Sequence, residues 1–170
     1  MQQQINFTFI IINLFLLNLY HRYSKKQIMS ESKKPNVGFW VISSIALIWN
    51  LMGVINYIAQ AYMTEEMKAA IPSTQREYIE NVPVWATAAF AIAVFAGFFG
   101  CLSLLLRKKI AKLLLLISLL GVAVQMSHGF MSGIEDVYGP GGVAMPIMII
   151  GLSIFLVWYS RFVDSKGWLS

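Results

Sequence analysis

The chain has 170 residues, 58% of them hydrophobic and only 12% charged, against roughly 45–50% apolar and about 25% charged in an ordinary soluble domain. That composition excludes a soluble fold. The net charge of +5 does not point to nucleic acid either, because most of the basic residues flank apolar runs, where they set topology and meet anionic headgroups.

Residues 1–28 form an N-terminal extension of distinct character. Positions 5–20 are apolar and are followed by His21, Arg22, Lys25 and Lys26. The segment lacks a basic n-region and a small-residue cleavage site, so it does not read as a signal peptide. Two readings stand. It is an extra, marginal span with its N-terminus outside, or it lies upstream of a true start at Met29, where Met29-Ser30-Glu31-Ser32-Lys33-Lys34 has the look of an ordinary beginning. Residues 29–37 then make a short polar segment on the cytoplasmic side.

A spanning helix needs about 20 mainly apolar residues. Four segments qualify, at 38–62, 84–106, 110–131 and 143–163, and together they predict an all-α bundle of four transmembrane helices over 38–163. The charges inside these ranges are Lys112 and Arg161, each near an end, and the long stem of Lys112 can snorkel to the headgroups. Trp40, Trp158 and Tyr159 fall at one predicted interface and Tyr62, Trp85 and Tyr138 at the other, as an aromatic belt requires. Trp49 falls near mid-membrane, beside Asn50.

The connections set the orientation. Arg107, Lys108, Lys109 and Lys112 crowd the turn between the second and third spans, and cytoplasmic loops are the ones that retain Lys and Arg. The first connection carries Glu65, Glu66, Glu77 and Glu80 against Lys68 and Arg76, and the third carries Glu135 and Asp136 with no base. Both termini, including the tail at 164–170, are therefore expected in the cytoplasm. Within the first connection, Thr74-Gln75-Arg76-Glu77 reads as a capping box opening a short helix that ends before Pro83. The Gly- and Pro-rich stretch 138–142 predicts a turn, and Pro146 fits the first turn of the last helix.

The first and third spans align without gaps. Asn50, Gly53, Tyr57 and Gln60 recur as Ser118, Gly121, Gln125 and His128, and the shared 3-4-3 spacing places each set on one helical stripe. The repeat would be a hairpin duplicated in parallel orientation. Lipid cannot satisfy an amide, so Asn50, Asn56, Gln60 and Gln125 are expected to turn inward. Two roles are open to them: hydrogen-bonded glue between helices, worth roughly 0.6 kcal/mol per bond, or a polar pocket in the outer half. That pocket would comprise Trp49, Asn50, Asn56, Tyr57, Gln60, Gln125 and His128. On the second span, Ala89, Ala93 and Gly97, with Gly100 next, form a small-residue face suited to close helix packing.

Catalytic patterns are missing from this reading. Cys101 is the single cysteine, which allows no intrachain disulfide and no cysteine metal cluster. His128 has no carboxylate at helical spacing within the membrane, and a haem or quinone role would need a second chain or an acid–base partner. No enzyme activity, cofactor or metal is expected.

Several stretches carry a resemblance: Trp49-Asn50-Leu51-Met52-Gly53-Val54 with Tyr57; Trp85 with Thr87-Ala88-Ala89-Phe90-Ala91-Ile92-Ala93-Val94-Phe95; Leu104-Leu105-Leu106-Arg107-Lys108-Lys109; Gln125-Met126; and Val137-Tyr138-Gly139-Pro140-Gly141-Gly142. Over residues 35–169 the chain resembles a family of small bacterial four-span inner-membrane proteins often labelled sugar transporters. The resemblance implies a multi-pass protein of the bacterial plasma membrane and a transport role, and it brings no catalytic or binding residues. The expectation is a transporter or channel for a small polar solute such as a sugar, acting in contact with the lipid bilayer and as a homo-oligomer, since four helices enclose little space. The alternative is a non-transporting accessory or scaffold protein that binds a partner through its outer loops.

Overall fold

The structure, a computed structural model, describes residues 34–133, 137, 139 and 141–170. The extension at 1–28, the acidic pair Glu135/Asp136, and Tyr138 lie outside the described residues. Among those described, every regular element is a helix: α1 (Val37–Ala61), α2 (Glu65–Ala69), α3 (Ser73–Glu80), α4 (Val84–Leu105), α5 (Ala111–Met131) and α6 (Ala144–Ser165). Four of them, α1, α4, α5 and α6, are long and apolar enough to cross a membrane. The chain is a multi-pass, all-α membrane protein built as a bundle of four helices.

The helix ends follow local chemistry. Asn36 caps α1 by accepting from the Phe39 amide at 3.0 Å, and Pro83 immediately precedes α4, where its missing N–H costs nothing. Pro146 sits buried in the first turn of α6. The α4–α5 turn is a Schellman closure: the Arg107 amide donates to the Leu104 carbonyl and the Lys108 amide to the Ser103 carbonyl. Such a closure places its C′ residue in the left-handed region, and here that residue is Arg107, with φ 58°. The same closure recurs after α6 with Gly167 at φ 72°.

The two closures meet. Residues 167–170 fold back onto the basic turn: the Ser170 amide donates to the Arg107 carbonyl at 2.7 Å, and the Lys109 amide to the Ser170 carbonyl at 3.3 Å. The Arg107 guanidinium donates to the Trp168 carbonyl at 2.8 Å, and the Trp168 ring meets the buried Phe39 ring edge-on at 5.8 Å. The tail is thus a clasp over the basic end. The Lys112 ammonium pairs with the Asp164 carboxylate. Tyr159 leaves the predicted belt for the core, 5% exposed beside Phe39, Leu104 and Val163. Trp40, Trp158, Tyr62 and Trp85 keep the outward positions that a belt requires.

The segment between α1 and α4 holds two short helices where the sequence suggested one. Thr64 caps α2, accepting from the Met67 amide at 3.3 Å. The predicted capping box does not form: α3 starts at Ser73 after Pro72, with no side-chain cap, which puts Thr74 inside the first turn. Arg76 instead closes the end of α2, donating to the Lys68 and Ala69 carbonyls at 2.9 and 3.1 Å. Glu65 hydrogen-bonds the Lys68 ammonium and holds its pKa above the ordinary lysine value.

Backbone packing runs α1 on α4, α4 on α5 and α5 on α6, with the α4–α5 contact the most extensive. The small residues of α4 explain that closeness. Ala86, Ala89, Ala93, Gly97 and Gly100 are all buried, and Gly121 of α5 lies so near that a methyl group on it would stand 2.9 Å from the Ala93 nitrogen and 3.0 Å from the Ala89 oxygen. Large apolar side chains such as Ile45, Ile48, Leu113, Leu120 and Ile154 point outward, as they do where lipid replaces water as solvent.

Candidate functional site

A cavity of about 240 Å³ opens between α1, α4, α5 and α6. It lies in the half of the bundle away from the basic turn. Toward that turn it is closed by a cluster of Ala46, Cys101, Leu115, Leu156 and Val157.

At the floor, Asn50, Gly97 and Ser118 converge from three helices. A methyl group at Gly97 would overlap the Asn50 side-chain oxygen and stand 2.9 Å from the Ser118 hydroxyl; only glycine leaves room for both polar groups here. The Asn50 amide donates to the Ala46 carbonyl at 2.9 Å and to the Cys101 sulfur at 3.3 Å. Ser118 donates to the Ala93 carbonyl at 2.6 Å across the α4–α5 contact. Higher up, Gln60 donates to Asn56 at 2.6 Å, and Asn56 lines the cavity. Ser153 of α6 faces it too while back-bonding to the Ile149 carbonyl. The Gln125 carboxamide is different: it lines the cavity, and no hydrogen bond to it is found among the described residues. The remaining wall is apolar, with Trp49, Phe90 and three methionines, Met52, Met126 and Met145. No side chain that carries charge lines the cavity.

Of the seven residues the sequence nominated, Trp49, Asn50, Asn56 and Gln125 share this cavity. The other three stand elsewhere. Tyr57 packs edge-on against Phe90 and Phe95 at 5.5 and 5.8 Å, filling the α1–α4 contact. Gln60 is exposed and reaches the cavity only through Asn56. His128 meets the Trp85 ring at 5.5 Å and the Tyr78 ring at 6.1 Å, with Ser132 3.2 Å from its Nε2. It belongs to a separate surface hollow of about 300 Å³, walled by Glu77 and Tyr78 of α3 and by Asn81 just past its end. Sequence reasoning missed Ser153 and the methionine walls, because α6 shows no polar stripe and methionine looks like any other core residue.

No protein-family model, curated protein or solved structure matches this chain. The geometry therefore carries the functional reading. Among the described residues no cluster of His, Cys, Asp and Glu has the makings of a metal site.

Proposed function

We propose that this protein is a carrier that binds a small neutral solute in the cavity between its four spanning helices and passes it across the membrane. One observation carries the reading: carboxamides from two helices, Asn50 and Asn56 on α1 and Gln125 on α5, converge on an uncharged cavity in the middle of the bundle. Ligand sites are concave, mostly apolar and equipped with a few placed polar groups. The closed floor at Ala46, Leu115 and Leu156 favours a carrier that must change conformation over an open pore. The resemblance to four-span proteins labelled sugar transporters supports the same direction, as does the basic turn, which by its charge belongs on the cytoplasmic face of a bacterial plasma membrane. With few side chains to enclose a path, a homo-oligomer suits the carrier.

A second reading draws support from the bonds of Asn50 and Ser118 to backbone carbonyls. These polar groups then serve as glue in a non-transporting accessory protein that holds a partner at α2 and α3. Uptake into vesicles containing the purified protein, measured over sugars and other small neutral metabolites, separates the two. The carrier reading expects saturable uptake that Gln125→Leu weakens and Ser153→Trp, which fills the cavity, abolishes. Absence of solute-dependent flux from a stably folded protein would leave the accessory reading.

A further inference from the structure

The cavity has a side as well as a floor. Each neighbouring pair along the series α1, α4, α5, α6 packs backbone to backbone, whereas α1 and α6, which close the ring, have no comparable contact. Among the described residues, the buried clusters they share lie at the basic end, where Ala46 joins Leu156 and Val157, and Phe39 joins Tyr159 and Val163. Beyond those clusters the α1–α6 seam is flanked by Met52 and Met145. Both line the cavity and are 60% and 57% exposed, so its wall continues onto the lipid-facing surface.

The lining chemistry selects among solutes. A sugar presents a hydroxyl on nearly every carbon and needs partners all round, whereas this wall is mainly apolar, aliphatic side chains such as Val122, Ile149 and Leu152 together with Trp49, Phe90 and methionine, with polar groups confined to a few places. Asn50, Asn56, Ser118 and Ser153 already have hydrogen-bond partners in the protein. Gln125 has none among the described residues. An amide unpaired at membrane depth is costly, and a single hydroxyl or carbonyl would satisfy it. Flexible methionine side chains adapt to varied apolar shapes.

We propose that the cavity takes a neutral amphiphile, an apolar ring or short chain bearing one hydroxyl or carbonyl group, which enters from the bilayer between α1 and α6 and hydrogen-bonds to Gln125. This deepens the carrier reading and rests on the cavity being a ligand site.

Photolabelling of the whole protein in lipid vesicles with a diazirine-bearing octanol, followed by peptide mapping, tests it. Saturable adducts are expected on both sides of the seam, at Met52 and Met145, and at Met126 within the cavity. Octanol should compete and octane should compete less well, by roughly three- to tenfold, the worth of one hydrogen bond. Gln125→Leu, which keeps the side chain's bulk and suits an apolar setting, should erase that difference while the protein stays folded. Non-saturable labelling spread over lipid-facing residues such as Ile45 and Leu113 would overturn the proposal. So would equal competition by octanol and octane in the unaltered protein. If glucose displaces the label and octanol does not, the amphiphile is refuted while the carrier reading survives; if the probe labels no cavity residue saturably and no neutral solute is taken up, both fall.

Discussion

At the scale of single residues, the meeting of Asn50, Gly97 and Ser118 is the most constrained point in the bundle. Gly97→Ala must push the Asn50 side chain aside and strain the α1–α4 contact, an overpacking cost of about 1–3 kcal/mol. Unfolding of the detergent-solubilised protein by a denaturing detergent should show that loss, and Asn50→Ala in the Gly97→Ala background should recover part of it, because the two side chains compete for one space. Strict additivity would mean that they do not touch. The same residues show what sequence periodicity can and cannot reveal. At about 100° per residue, Ser118 and Gln125 fall within about 20° of each other, as do Gly121 and His128, but the two pairs are about 60° apart. One polar stripe on paper becomes two faces in the structure: Ser118 and Gln125 reach the cavity, while Gly121 packs on α4 and His128 on Trp85. The stripe was legible; where α4 would cross it was not, since crossing angles depend on the packing of both partners.

At the scale of elements, the spans were legible because each needs only length and apolarity, and their observed ends fall within a residue or two of the expected ones. The clasp was not, since Arg107 and Trp168 are 61 positions apart and nothing local links them. Its construction makes a prediction with a built-in order. Left-handed backbone costs a non-glycine residue roughly 1–2 kcal/mol, so Arg107→Gly relieves strain while losing the bond to Trp168, and the two effects offset. Arg107→Ala keeps the strain and loses the bond. Stability should therefore rank Arg107→Ala below Arg107→Gly, and removal of residues 167–170 should make the unaltered protein resemble the weaker variants. On the opposite side, Thr64→Ala removes the cap of α2, worth about 1 kcal/mol. Because α2 has no buried residue, the effect should appear as faster proteolysis between residues 64 and 72, with the global unfolding midpoint unchanged.

At the scale of the whole molecule, the positive-inside rule predicts the clasp on the cytoplasmic side and α2 and α3 on the outer side. In a Cys101→Ser background, Ser73→Cys should react with an impermeant thiol reagent applied outside intact cells, and Lys109→Cys should react only after the membrane is opened; the reverse would invert the bundle. The cavity then lies in the outer half, closed toward the cytoplasm by a packed cluster, so transport requires that cluster to part. If the cavity is the solute's path, as proposed, bound solute shields a cysteine placed within it. In the Cys101→Ser background, Ser153→Cys should be modified by a small membrane-permeant thiol reagent. Modification should block uptake, and saturating solute should slow the modification, while Ile45→Cys on the lipid face should be modified with uptake intact. Uptake that continues after complete modification of Ser153→Cys, with no protection by solute, would contradict the account.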